Sequence, residues 1–298
     1  MRALFILLGI STLQGLQACN QTKSVQKEAT TPVEYRRILN NEISTNKNGE
    51  LKKSTEKVTP STEREDNIPT KEDTILNHIQ EKITAAWSEG FAKKSTQKLN
   101  EIENLLTNKK SENENLKNYW IAYINYYKTI MAILFKNENL GKESNKKGIE
   151  ILERNRNKNS DDYALLVLLK GMSFPFSSGI EALSISRDIN KLIEKGIETD
   201  STNFRVYYAK GSVDFYTPKE YGGGTKAEEA LLKAINLPEK NIGNSQLPTW
   251  GKEEAYDLII RLYLREGKKE KAKIYFDKAK QLFPNSRTLQ THQPNFKS

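Results

Sequence analysis

The sequence predicts an all-α fold, a solenoid of stacked helix pairs, preceded by a signal peptide and a disordered tether. Three observations predict it. From about residue 73 onward, apolar residues recur at intervals of three and four, the period of an amphipathic helix. No stretch alternates apolar and polar residues in the manner of a half-buried strand. Small residues return at corresponding places in successive helices, which lets paired helices approach closely.

The N-terminus comes first. Met1-Arg2 is a short positive start, and Ala3 to Gly9 is an apolar run too short to hold a bilayer as a stable span. Leu16-Gln17-Ala18-Cys19 follows, and Cys19 is the sole cysteine of the chain. This stretch resembles the lipobox of bacterial lipoproteins, with Ala18 as the small residue before the cysteine and Leu16 as the apolar residue three before it. The resemblance implies a signal peptide over residues 1–18, a diacylglycerol on the Cys19 sulfur, cleavage before Cys19 and acylation of the new amine. Several acyl chains anchor far more firmly than one. Asn20 stands where an aspartate favours inner-membrane retention in enteric-type bacteria, so the expected location is the outer membrane, facing the periplasm.

Residues 19–70 are expected to be the lipidated cysteine and a disordered linker. They lack periodicity, are rich in Thr, Ser, Asn, Lys and Glu, and contain Pro32, Pro60 and Pro69. Such a composition buries too little apolar surface to offset its ordering entropy. As a coil, about 50 residues span roughly 40 Å, enough to hold a body off the membrane. Val33 to Leu39 (VEYRRIL) is a candidate docking motif within it.

Residues 71–298 are expected to form the helical body. Ile75, Ile79, Ile83 and Ala86-Trp87 mark one helix, and Leu99, Ile102, Leu105 and Leu106 the next. Leu116 to Phe135 is a long aromatic-rich helix whose Asn118, Asn125 and Lys128 argue against a membrane span. Near the C-terminus, Tyr256, Ile259, Ile260, Tyr263, Gly267, Ala272, Phe276, Ala279 and Pro284 follow the spacing of a paired-helix repeat. This resembles the tetratricopeptide repeat, with Ile260 where a small residue is usual. Ala272 and Ala279 are then the small residues at the helix contact, Gly267 opens the turn and Pro284 ends the second helix. Tyr207, Gly211, Ala227, Leu231 and Ala234 repeat the pattern with an insertion between the helices. Ile189, Ile193 and Gly196 match the end of a further repeat, and Trp120, Tyr123, Tyr127, Gly148 and Leu152 a third. Gly148, Ile189, Ala227 and Ala272 occupy one repeat position at degenerate spacings, so the extra residues fall in loops. The resemblance covers roughly residues 114–285.

Gly222-Gly223-Gly224 could suggest a phosphate loop, but no Lys-Ser/Thr follows at the required spacing. The expectation is a turn between paired helices, its glycines free to adopt positive φ and Thr225 capping the next helix. One cysteine excludes an intramolecular disulfide and cysteine-based zinc clusters. Two isolated histidines, His78 and His292, give no catalytic or metal spacing, and the expectation is a protein that is not an enzyme and needs no cofactor or metal. Of the 47 basic and 38 acidic residues, 10 and 8 lie in residues 1–70. The excess is spread over the body as a mixed surface without a basic run, so no nucleic-acid partner is expected.

In the tetratricopeptide resemblance, the first helix of each pair lines a concave face. The positions on that face are Glu254, Asp257, Leu258, Arg261, Leu264 and Arg265 in the last repeat. In the repeat before it they are Arg205, Tyr208, Ala209, Ser212, Phe215 and Tyr216. Arg205, Tyr208, Tyr216, Glu254, Asp257, Arg261 and Arg265 are therefore the candidate peptide-binding residues, offering aromatic anchors and charge-assisted bonds. The expected function is a lipid-anchored module of the cell envelope that binds a protein or peptide partner. The alternative is a ligand-binding accessory of a solute or glycan uptake system, which an enclosed aromatic cavity would favour.

Overall fold

The computed structural model describes residues 75–219 and 222–296. The expected signal peptide, Cys19, the tether and the 33–39 motif lie outside the described residues.

The described chain is helical, without a strand. Ten helices form five consecutive pairs: α1 (Ile79–Lys93) with α2 (Gln97–Asn108), α3 (Glu114–Leu134) with α4 (Glu138–Glu153), and α5 (Ser160–Gly171) with α6 (Gly179–Thr199). Then come α7 (Phe204–Tyr216) with α8 (Ala227–Asn236) and α9 (Lys252–Arg265) with α10 (Lys269–Leu282). A short α11 (Arg287–Gln290) and a 3-10 turn (Gln293–Phe296) follow. The first helices pack on one another, α1 on α3, α3 on α5, α5 on α7 and α7 on α9. They form an inner layer, and the second helices form an outer layer against them.

Sequence explains the two layers. α6 and α10 bury one narrow stripe each, Ile189, Ile193 and Gly196 in the first and Ala272, Phe276 and Ala279 in the second. An outer helix needs only one apolar face. α5 is different: Ala164 to Leu169 are all buried, because its neighbours surround it. A helix apolar all round has no stripe to read, and for that reason the repeat signal locates only the second helix of this pair. The pair α1/α2 lies before the residues covered by the repeat pattern. The first helix begins at Ile79, later than residue 73, behind His78 in a left-handed conformation (φ 54°). Leu105, expected as a core marker of α2, is 46% exposed.

Close helix contacts fall on the small residues. An ideal Cβ on Gly211 would meet Leu231 Cγ at 2.7 Å, so α7 and α8 approach to a distance only glycine allows. Ala227, Ala234, Ala272 and Ala279 are fully buried at the same kind of contact.

Three of the pair turns use one device. In the turn from α9 to α10, Gly267 has φ 73°, its N–H donates to Leu264 O (3.1 Å), and Lys268 N–H donates to Tyr263 O (2.8 Å). This is the Schellman pattern. Lys136 (φ 57°) does the same between α3 and α4, with Asn137 N–H on Ala132 O at 2.8 Å. Lys94 (φ 53°) repeats it between α1 and α2, with Ser95 N–H on Gly90 O at 2.9 Å.

The glycine triplet is a turn. Gly222 and Gly224 have φ of 82° and 79°, and a Cβ on Gly223 would lie 1.9 Å from Thr217 O. Thr225 does not cap α8. Its hydroxyl donates to Gly222 O at 3.2 Å, and the start of α8 is satisfied from the preceding helix, where Asp214 Oδ2 accepts from Lys226 N–H (2.9 Å) and Ala227 N–H (2.8 Å). A carboxylate there is also favoured by the helix dipole.

Candidate functional site

The inner layer turns a dense set of aromatic rings toward one side. α3 contributes Tyr119, Trp120, Tyr123, Tyr126 and Tyr127, which touch one another in sequence along the helix. Trp87 of α1 packs on Tyr127 (5.2 Å between rings) and Phe91 on Phe135 (5.5 Å). From the other end, Tyr208 of α7 joins them. The cluster is not hollow. Trp250, from the connection between α8 and α9, inserts into it. It stacks on Tyr123 (5.5 Å, 20°), meets Tyr208 edge-on (6.1 Å), and donates its indole N–H to Tyr119 OH (2.8 Å).

The seven candidate peptide-binding residues divide accordingly. Arg205 is 2% exposed, which corrects its expected place on an open groove. Its guanidinium bonds Asp161 Oδ1 at 3.2 Å, donates to Pro248 O, and lies 4.6 Å over the Phe204 ring. Tyr208 is likewise buried against Trp250, and burial raises its hydroxyl well above the ordinary phenol range. Asp257 is buried between His292 Nε2 (2.7 Å) and Arg261 Nη1 (3.4 Å). Glu254 closes the capping box of α9 by accepting from Gly251 N–H at 2.9 Å. Burial, then the neighbouring Glu253, push its carboxyl up to about 7. It therefore pairs with the helix start, and not with the arginines.

Tyr216, Arg261 and Arg265 form the least covered part, with Arg265 exposed and Tyr216 and Arg261 half-buried beside it. Arg261 Nη1 donates to Tyr216 OH at 3.0 Å and its guanidinium lies 5.2 Å from the Phe215 ring. Arg265 sits 4.2 Å from the centre of the same ring and donates to Phe215 O at 3.0 Å. Two arginines thus hold one ring, which fixes the orientation of their guanidinium groups. Arg265 is exposed, whereas the Arg261 side chain is only 22% exposed. With half-buried Tyr126 and Tyr127 on the same layer, the open part offers flat apolar rings and directed cationic donors.

The repeat residues fall where a helix-pair contact puts them. Tyr207 is buried with its OH on Ser201 O (3.1 Å), Tyr256 and Tyr263 are buried in α9, and Phe276 packs on Phe296 (4.8 Å). Pro284 follows the last turn of α10. Sequence reasoning misses Trp250 and Gln80. Trp250 holds no repeat position and lies just before the helix pair that Tyr256 to Pro284 mark, and Gln80 carries no motif. Trp250 does carry one signal, a tryptophan inside a Pro-Thr-Trp-Gly connection where a short polar turn would suffice.

A second feature is a cleft of about 260 Å³ between α5, α7 and the 238–241 stretch, lined by Asp161, Asp200, Asn203, Phe204, Arg205 and Lys240 among others. Its charged groups are already paired, Lys240 with Asp200 (2.6 Å) and Arg205 with Asp161. Among the described residues no group of three or more His, Cys, Asp or Glu is placed to hold a metal ion. No described helix is long and apolar enough to cross a membrane.

No protein-family model matches the chain, and no curated protein matches it. Among solved structures, the chain is similar to that of a thermophilic tetratricopeptide-repeat protein of Thermus thermophilus. The identity is 14%, the TM-score is 0.45, and the match covers 71% of this chain and 97% of that one.

Proposed function

We propose that this protein is a protein-interaction module of the cell envelope, held to the membrane by lipid on Cys19, whose inner helix layer binds a polypeptide partner. The observation that supports the reading is the open end of that layer. Arg261 and Arg265 clasp Phe215 beside Tyr216, and this combination suits a carboxylate-bearing peptide with an apolar anchor. The alternative, a small-ligand accessory, asks for an enclosed aromatic cavity. Among the described residues the centre of the aromatic cluster is filled by Trp250.

The test uses the full chain in its own membranes. Cys19→Ala is expected to move the protein from the membrane fraction to the soluble fraction with its helicity unchanged. Arg265→Glu is expected to leave the protein membrane-bound and folded, and to weaken partner binding by at least tenfold, because a directed charge-assisted bond becomes a repulsion. Full membrane retention of the Cys19 variant would remove the anchor. Undiminished binding by the Arg265 variant would move the interface elsewhere.

A further inference from the structure

The connection from Leu237 to Gly251 is far longer than joining α8 to α9 requires; helix-to-helix turns usually take about 2–8 residues. It contains neither helix nor strand. Its outer part, Ile242 to Asn244, is exposed, with Gly243 at φ 92°. Its return limb, Gln246 to Trp250, lies on the inner layer and touches helices more than a hundred residues away in sequence.

The manner of contact is specific. Backbone atoms of the limb are met one by one by side chains of α1, α3 and α7. Trp120 Nε1–H donates to Gln246 O at 2.8 Å. Arg205 donates to Pro248 O. Gln80 Oε1 accepts from Thr249 N–H (2.8 Å) and from Trp250 N–H (3.2 Å), while its amide donates to Thr249 Oγ1 (3.0 Å). Asn77 Oδ1 accepts from the Gln246 side chain at 2.8 Å. The anchor is Trp250, enclosed by Tyr119, Tyr123 and Tyr208. A folded core is held mainly by side-chain packing. Here three helices from three different pairs read main-chain groups around one buried aromatic, which is how a groove holds a peptide.

We propose that residues 246–250 are an in-cis occupant of a peptide-reading site on the inner layer. A partner segment of the same chemistry, irregular backbone ending in a tryptophan, displaces them. The proposal rests on the reading that this layer binds polypeptide, and adds which chemistry it selects and what guards it. Both ends of the limb suit release. Gly243 lies in the exposed outer part, and Gly251, at φ 107°, turns the chain into α9. The opened limb would stay tethered, so it competes at a high effective concentration and sets a threshold for the incoming segment.

Two measurements on the full chain test it. The first is native-state hydrogen exchange at Thr249 and Trp250, compared with Ile259 and Ile260 in α9. A displaceable limb opens without unfolding the domain, so its amides are expected to exchange at least tenfold faster than those of α9. Gln80→Ala removes three hydrogen bonds to the limb and is expected to speed Thr249 and Trp250 by at least about tenfold more, and to leave Ile259 unchanged. If all four amides exchange together in both proteins, the limb is core and the proposal fails. The second is titration with a labelled peptide of the Asn244–Gly251 sequence. Trp250→Ala is expected to bind it at least tenfold more tightly than the parent, and equal binding would overturn recognition in trans. Where Trp250→Ala does not fold, the exchange pattern decides. Uniform exchange alongside partner binding that Arg265→Glu abolishes would remove the limb while leaving the interaction module intact.

Discussion

At position 254 a carboxyl group stands in the first turn of α9, facing Tyr126, Tyr127 and Tyr208 from the inner layer and Glu253 and Asp257 on its own helix. It accepts the Gly251 N–H, which favours the charged form, but burial and the two neighbouring acids outweigh that bond and push its carboxyl up to about 7. The sign follows from linkage. The folded state holds this proton up to about pH 7, while the unfolded chain releases it near the ordinary value of 4.5. The group therefore costs nothing below about pH 4.5, and its penalty grows as pH rises to 7 and is constant above. Glu254→Gln keeps an acceptor for Gly251 and removes the charge. It is expected to stabilise the protein by about 1–2 kcal/mol at about pH 8 and to have no effect at about pH 4. Chemical denaturation of parent and variant at the two pH values checks this, and a variant less stable than its parent at the higher pH would contradict it. The candidate residues are legible as a set in one sense: the repeat register places Tyr216, Arg261 and Arg265 on a shared side. It does not reveal that Arg205 and Tyr208 are covered, because what covers them is a loop, and loops carry no period.

Among the elements, the pair turns are the most regular feature of the fold and the least regular in sequence. Gly267, Lys136 and Lys94 occupy the same left-handed position of the same hydrogen-bonded turn. Only one of them is the residue that the position favours. A lysine there crowds its Cβ against the following carbonyl, at a cost of about 1–2 kcal/mol. Glycine relieves the crowding and loses part of that gain to the entropy of the unfolded chain. Lys136→Gly is thus expected to raise stability by about 0.5–1 kcal/mol, although it places a glycine beside the long α3. Thermal melting measures it, and a lowered midpoint would mean that the turn is not the Schellman form. The same position explains what sequence reading can and cannot find. The pair α9/α10 is legible because Gly267, Ala272, Ala279 and Pro284 are all of the expected type. The pair α1/α2 lies before the residues that the repeat pattern covers, and a lysine, Lys94, holds its turn as Lys136 does in α3/α4, so the turn residue alone marks neither pair. α5 escapes because Ala164 to Leu169 are buried on every side and leave no period.

For the whole molecule, five helix pairs bring into one layer residues that the chain separates widely: Gln80 and Thr249 are 169 apart, and Trp120 and Gln246 are 126 apart. Part of that layer is closed by the molecule's own 246–250 limb, and part remains open around Tyr216, Arg261 and Arg265. The central claim is that a polypeptide partner meets the inner layer at this open end, and not the outer helices. Site-specific photo-crosslinking in intact cells tests it most directly. A photoreactive residue is placed at Leu264, half-buried on α9 beside Arg265, and in a parallel protein at Ile274, which is 54% exposed on the outer helix α10. The expected result is a discrete protein adduct from position 264 and none from position 274. An adduct from 274 with none from 264 would contradict the claim.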